Sequence, residues 1–87
     1  MFTGIVEETG VIKKKILNLD GMKLTIHANK VLEDLKVNDS ISCSGICLTV
    51  TELSDKNFVV QLVEETIDRT TAKFWDVDTK VNLERSL

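Results

Sequence analysis

Proline is absent from this chain of 87 residues, and glycine occurs only four times. Without proline, no slow prolyl isomerisation limits folding. The turns must then be made by glycine, asparagine, aspartate and serine, which accept positive φ angles or bond to their own backbone.

Cysteine and histidine are too scarce to supply the usual supports of a small domain. Two cysteines and the single His27 cannot complete a common four-ligand zinc site. Cys43 and Cys47 are too close in sequence to link distant elements, and no secretory signal is recognisable. The thiols are therefore predicted to be free, in a reducing cytoplasm. His27 falls on the polar side of a predicted strand and is interpreted as a surface residue.

Charge and hydropathy exclude two classes of partner. No apolar run approaches the roughly 18 to 20 residues that cross a membrane. The net charge of −3 argues against nucleic acid, whose phosphates require an excess of lysine and arginine. The one basic run, Lys13-Lys14-Lys15, is interpreted as a solvated strand edge. Because so short a chain buries only about 60 to 65% of its unfolded surface, oligomerisation is the remaining way to bury more.

The stretch 44–51 has the clearest alternation of apolar and polar residues. In an extended strand, neighbouring side chains point to opposite faces. Ile46, Leu48 and Val50 therefore form an apolar row. Cys47, Thr49 and Thr51 lie on the other face, which suits a half-polar ligand better than it suits packing.

The same reasoning places the other elements. Asn29 is predicted to cap a short helix, and Thr66 a second one. Asp20-Gly21 is predicted to be a two-residue hairpin turn. Further strands are predicted at residues 11–19, 22–28, 40–43, 58–63 and 80–84. Several short strands without a long helix indicate a small antiparallel barrel or sandwich, with a possible groove lined by Cys47 and Thr49.

Four landmarks in order along the chain closely resemble riboflavin synthase. They are Met1-Phe2-Thr3-Gly4-Ile5-Val6-Glu7, Gly45-Ile46-Cys47-Leu48-Thr49-Val50-Thr51, Glu65-Thr66 and Val81-Asn82-Leu83-Glu84-Arg85. The resemblance implies an all-β fold, a six-stranded antiparallel Greek-key barrel with one or two short helices. Residues 1–87 then correspond to the N-terminal barrel, and the family's second barrel and C-terminal trimerisation helix are absent.

The resemblance also implies an activity. Riboflavin synthase transfers a four-carbon unit between two molecules of 6,7-dimethyl-8-ribityllumazine, giving riboflavin and 5-amino-6-ribitylamino-uracil. No cofactor is expected, because the substrate supplies both nucleophile and electrophile. The parent enzyme is expected to be a homotrimer, and the 87-residue chain a homodimer with little or no turnover. The alternative is a lumazine- or flavin-binding antenna module without catalysis.

The family's site residues match three segments of this chain. Cys47 and Ser40 are the candidate catalytic residues. For Cys47 the alternative is a buried free cysteine that behaves as a small hydrophobe; for Ser40 it is a strand-entry hydroxyl. The expected substrate-binding residues are Gly4, Ile5, Val6, Cys47, Leu48, Thr49, Gln61, Leu62, Val63, Glu64, Glu65 and Thr66.

Two positions depart from the family pattern. Ser44 stands where the family commonly has asparagine, so a side-chain amide is replaced by a hydroxyl. Cys43 occupies a usually apolar position and is interpreted as packing.

Overall fold

A computed structural model describes residues 1–87 as six antiparallel strands that close into a barrel. The strand order around the barrel is β1-β2-β5-β4-β3-β6. Strands β3, β4 and β5 follow one another, and β6 returns to lie beside β3, which is the Greek-key arrangement. The prediction of a six-stranded Greek-key barrel is therefore confirmed. The strands are β1 (Glu8–Asn18), β2 (Gly21–His27), β3 (Ser40–Cys43), β4 (Ile46–Leu53), β5 (Asn57–Val63) and β6 (Lys80–Arg85).

The connections contain the only helical elements. The α-helix α1 (Glu64–Arg69) follows β5 directly, and a 3₁₀ turn at Thr71–Phe74 leads towards β6. Another 3₁₀ turn, Lys30–Glu33, joins β2 to β3. None of these elements has the length and apolar character of a membrane-crossing helix.

Alternation along each strand fills the barrel. Every second residue of β2, β3 and β5 is buried, while the residues between them are at least partly accessible. Phe58 is the largest of the fully buried side chains. Cys43 is also buried, which agrees with its interpretation as packing. Since side chains occupy the interior, the surface available to a ligand is on the outside of the barrel.

The lysine run lies where β1 extends past the barrel wall. Strand β1 pairs with β6 over Glu8–Val11, whereas its later residues pair with β2 alone. Lys13 and Lys14 are exposed on this one-sided stretch, as expected for a solvated edge. Lys15 instead donates to the main-chain oxygen of Trp75 at 2.9 Å.

The predicted helix caps are wrong. Asn29 makes no side-chain capping bond; the Glu8 carboxylate accepts from the main-chain N–H groups of Asn29 and Val31 instead. The Glu8 carboxylate thus accepts from main-chain N–H groups at the start of the turn that have no partner within it, which is the role predicted for the Asn29 side chain. Thr66 lies inside α1, which begins at Glu64 because the chain turns directly out of β5 after Val63.

The hairpin between β1 and β2 also differs from the prediction in its register. Asn18 pairs with Gly21, so the two loop residues are Leu19 and Asp20. Gly21 is the first residue of β2 and has a φ of 140°. A Cβ atom at Gly21 would lie 2.1 Å from the main-chain oxygen of Leu62, so β2 passes β5 at a distance that only glycine permits.

We expect Gly21→Ala to destabilise the protein by about 2 to 4 kcal/mol, because Leu62 or the strand must move. Gly45→Ala is the matched control. Gly45 also has a positive φ, 86°, but a Cβ at this position would meet no atom within 4 Å, so the cost should be about 1 kcal/mol. Urea unfolding of both variants measures the difference. Equal losses would show that the close approach has no consequence.

Candidate functional site

The outer faces of β3 and β4 carry a patch of small polar side chains. Ser40 lies opposite Thr49, and Ser42 lies opposite Cys47. Cys47 and Thr49 are exposed, whereas Leu48 and Val50 between and beside them are buried. The predicted two-faced character of β4 is confirmed, and Cys47 is not the buried cysteine of the alternative interpretation.

The two free thiols differ in environment. Cys43 is fully buried, and this burial raises the pKa of its thiol to about 12. It therefore stays protonated and inert at neutral pH. Cys47 is exposed on the polar patch and is the thiol that a ligand can reach.

The pairing of β4 with β5 stops in the middle of both strands. Residue pairs run from Leu53 and Phe58 to Val50 and Val60, and none is formed further along. Residues 46–49 of β4 pair with β3 only, and residues 61–63 of β5 pair with β2 only. We call this interval, bounded by the main chain of 47–49 and 61–63, the β4/β5 slot.

Main-chain polar groups point into the slot from both sides. The main-chain N–H of Val50 donates to the main-chain oxygen of Asp39 at 2.9 Å, so the backbone groups of Val50 point towards β3. Because successive residues of a strand direct these groups to opposite neighbours, those of Cys47 and Thr49 point towards β5. On β5, the Val59 oxygen accepts from the Thr51 hydroxyl of β4, so Gln61 and Val63 share that direction. The slot therefore offers donors and acceptors to a flat polar ligand.

The side chains of Leu48 and Leu62 are only 6% and 1% exposed, respectively. Both point into the core. Any contact of these two predicted binding residues with a ligand is therefore restricted to their main chain.

The segment 61–66 forms the corner where β5 passes into α1. Val63, Glu64 and Glu65 are exposed, and Gln61 and Thr66 are half-buried. Glu65 is paired with Arg69 at 3.4 Å across one turn, a surface pair of little energetic weight. Its carboxylate is therefore free to turn to another partner.

The N-terminal residues lie beside β3, β6 and the turn between β3 and β4. Gly4 and Val6 line a cavity of about 200 Å³ together with Ser42, Ser44 and Gly45. Ser44 and Gly45 have φ angles of 48° and 86° and form the turn between β3 and β4. The Ser44 hydroxyl accepts from the main-chain N–H of Asn82 at 3.0 Å, so its contact is with β6.

The structure thus places residues 47–49 on β4 and residues 61–66 on β5 and α1, and it holds residues 4–6 beside β6 and the β3–β4 turn. The strands β5, β4, β3 and β6 are consecutive in the barrel. They do not share one enclosed cavity. A cavity of about 560 Å³ includes Ser40 but none of the other predicted residues. It is lined mainly by polar and charged groups, including Glu7 and Arg85. No group of three or more histidine, cysteine or acidic side chains is placed to hold a metal ion.

Sequence reasoning missed the ionic network that ties the N-terminal residues to β6. Arg85 donates to both oxygens of Glu7 through Nε at 3.0 Å and Nη2 at 2.8 Å, and to Asp34 through Nη1. The main-chain N–H of Arg85 adds a bond of 2.7 Å to Glu7. Hydrogen bonds from the Arg85 side chain and backbone lower the pKa of Glu7 to about 2. The landmark at the end of the chain contains Arg85, but the sequence does not show that its partner is Glu7, which is 78 residues away.

We expect the Glu7–Arg85 pair to make stability depend on acid pH. The Glu7 carboxylate takes up a proton less readily in the folded chain than in the unfolded chain. The stabilisation from the pair is therefore complete above the usual pKa of 4.5 and is lost as the pH falls towards about 2. The free energy of unfolding of Glu7→Gln should approach that of the wild type over this range. Gly45→Ala, which changes no titratable group, should keep a constant difference. A constant difference for Glu7→Gln would contradict the assignment.

Comparison with known proteins matches the whole chain. The family model described as "Lumazine binding domain" covers residues 3–86. Riboflavin synthase from Bacillus amyloliquefaciens is 48% identical over 87 residues, covering 100% of this chain and 40% of that protein. Riboflavin synthase from Saccharomyces cerevisiae is 42% identical over 94 residues, with the same coverage. The chain therefore spans about 40% of the length of these curated relatives.

A solved structure has the same fold. The crystal structure of LumP complexed with 6,7-dimethyl-8-(1'-D-ribityl) lumazine superimposes with a TM-score of 0.91 at 33% identity. The match covers 99% of this chain and 49% of LumP.

Proposed function

The chain belongs to the lumazine-binding domain family, and from this premise we propose that it is the N-terminal barrel of a riboflavin synthase, with 6,7-dimethyl-8-ribityllumazine and riboflavin as its ligands. The observation that carries the proposal is the β4/β5 slot. Pairing of β4 with β5 ends where two of the three predicted binding segments begin. A site for a flat ligand is expected where main-chain donors and acceptors are left unmatched between strands.

The slot suits the polar edge of a lumazine ring. That edge carries alternating carbonyl and N–H groups, which are complementary to main-chain N–H and C=O groups of Cys47, Thr49, Gln61 and Val63. Leu48 and Leu62 contribute their main chain only. The ribityl chain then extends to the corner, where Glu65 and Thr66 offer a carboxylate and a hydroxyl to its hydroxyl groups.

The remaining predicted residues lie beside the ring in this arrangement. Gly4, Ile5 and Val6 approach it from the N-terminal segment, and the Cys47 side chain meets it from the polar patch. Ser40 lies opposite Thr49 on that patch and is the second candidate for a catalytic contact. Glu64 borders the ribityl corner. We expect Cys47 to act as a polar contact and not as a covalent nucleophile.

The proposed reaction needs no cofactor, because one lumazine donates a four-carbon unit and another accepts it. Catalysis then rests on holding two rings face to face, which can lower the barrier by about 7 to 11 kcal/mol at best. This barrel supplies one ring-binding surface. In the full-length enzyme the second is proposed to come from the second barrel of a neighbouring subunit in a homotrimer.

A second copy of the chain is the proposed partner of the 87-residue barrel. Ile5, Val6 and Val63 are exposed apolar side chains close to the proposed site. Such surface favours association. A homodimer in which two barrels face each other would cover it, as the first and second barrels would in the longer protein. The one exposed and one buried free thiol are compatible with the predicted cytoplasmic location.

The second candidate function is that of a lumazine- or flavin-binding antenna module without catalysis. The likeness of the fold to LumP, which was solved with a bound lumazine, supports lumazine binding, which both candidate functions require. The exposed Cys47 and the polar row around it favour the enzyme.

We expect the 87-residue chain to bind both the lumazine and riboflavin, and Thr49→Val to weaken that binding about threefold to tenfold through loss of one hydroxyl contact. Thr9→Val makes the same change at an exposed position of β1, a strand that does not border the slot, and the Thr9 hydroxyl makes no hydrogen bond. It should leave affinity unchanged. Fluorescence titration with each ligand measures both. An equal effect of the two substitutions would place the ligand elsewhere.

Extension of the chain by its natural downstream sequence tests the activity. We expect the longer protein to convert the lumazine to riboflavin, and the 87-residue chain to show little or no turnover, because two rings must be held together. Absorbance of riboflavin reports the product. Binding of the lumazine without product in the longer protein would favour the antenna function.

A further inference from the structure

The first six residues form an arm, residues 1–6, that lies outside the barrel and belongs to no strand. Phe2 is half-buried, but the apolar side chains that follow it contribute little to holding the arm in place: Ile5 is 70% exposed and Val6 is 51% exposed. Gly4 has a φ of 86°, in the left-handed region, so this conformation is not the default of an extended chain. The path of the arm from Thr3 to Val6 must therefore depend on hydrogen bonds.

One carboxylate supplies the hydrogen bonds at the centre of the arm. Glu84 Oε2 accepts from the main-chain N–H of Thr3 at 2.6 Å and from its hydroxyl at 2.8 Å. Glu84 Oε1 accepts from the main-chain N–H of Gly4 at 3.0 Å. The Thr3 hydroxyl in turn accepts from the N–H of Ile5 at 3.2 Å. The carboxylate thus determines the path of three consecutive residues.

Glu84 is covered by the arm that it holds. The side chain leaves β6 on the outer face, yet the residue is only 7% exposed, the one acidic residue that is buried. Its burial works to raise the pKa, but the bonds from Thr3 and Gly4 outweigh it, so the pKa is lowered. At neutral pH the group is an anion that accepts three bonds, and such charge-assisted bonds are stronger than neutral ones.

The position of Glu84 connects the arm to the candidate site. Glu84 pairs with Ser42, and Ser42 pairs with Cys47 at the edge of the β4/β5 slot. Two strand spacings, about 10 Å, therefore separate Glu84 from Cys47. Glu84 does not reach into the slot itself; the residues that extend from it are Gly4, Ile5 and Val6.

We propose that Glu84 is a positioning residue for ligand binding: its carboxylate holds Thr3 and Gly4 so that residues 4–6 form one wall of the ring site. This inference rests on the proposed function, because it assumes that the ring meets the arm. Glu84 acts through the arm and does not touch the ligand.

Glu84→Gln tests the role with little change of shape. An amide keeps one accepting oxygen but replaces the other with a donor that faces the N–H groups of the arm. We expect the affinity for 6,7-dimethyl-8-ribityllumazine to fall about tenfold. Glu33→Gln is the matched control, because Glu33 is exposed and makes no side-chain hydrogen bond or ion pair, and it should bind like the wild type.

A spectroscopic measurement separates positioning from general destabilisation. In the ligand-free protein, the amide proton resonances of Thr3 and Gly4 should move upfield in Glu84→Gln, while those of the buried strands stay in place. Glu84→Asp keeps the charge on a shorter side chain and should recover part of the affinity. Loss of affinity with unchanged Thr3 and Gly4 resonances would overturn the proposal.

Removal of the arm gives the decisive comparison. If Glu84 acts through the arm, deletion of Phe2–Gly4 should weaken binding, and Glu84→Gln in the shortened chain should weaken it no further, since the two changes remove the same interaction. Independent, additive losses would overturn the positioning role. Absence of lumazine binding by the wild type would instead reject the proposed function, and equal affinity of wild type and Glu84→Gln would reject only the role of Glu84.

Discussion

Closure of six strands around a filled interior is the constraint on which the rest of the structure depends. Alternating residues of each strand occupy the inside with apolar side chains, so a ligand can approach only from the outside. In the wall, β4 and β5 are unpaired over residues 46–49 and 61–63, although each strand keeps its other neighbour there. The same closure thus excludes an internal cavity site and leaves this interval of unmatched main chain on the outside for the flat polar ligand that we propose.

Charged groups hold the N-terminal arm after Phe2, where exposed Ile5 and Val6 provide little apolar contact. Glu7, directly after the arm, is held by Arg85, and Thr3 and Gly4 are held by Glu84 on the neighbouring position of β6. Adjacent residues of one strand therefore fasten the middle of the arm and its end. Because the Glu7–Arg85 pair is only about one-quarter exposed, its bonds are less weakened by solvent than those of a surface pair.

The shape of the proposed site agrees with its being half of a larger one. The polar patch, the slot and the arm are open to solvent on one side of the barrel, and apolar side chains remain exposed beside them. An enzyme that brings two identical rings together requires a second surface facing the first. The chain spans about 40% of its curated relatives, which leaves ample sequence in those proteins for such a surface.

The sequence by itself determined the strands, their inward and outward faces and the fold class, because alternation is a local property and the four landmarks are recognisable without coordinates. It placed Cys47 and Thr49 on an outer face and Leu48 beneath them. It could not give the helix cap at residues 29–31, because the carboxylate of Glu8 on β1 accepts the hydrogen bonds there in place of the Asn29 side chain. Only the tertiary structure decided where β4 and β5 separate and which acidic residues hold the arm. The bonds that hold the arm join residues about 80 positions apart, and the end of the β4/β5 pairing follows a register irregularity between Val50 and Glu52. No local pattern records which partners the closed barrel brings together.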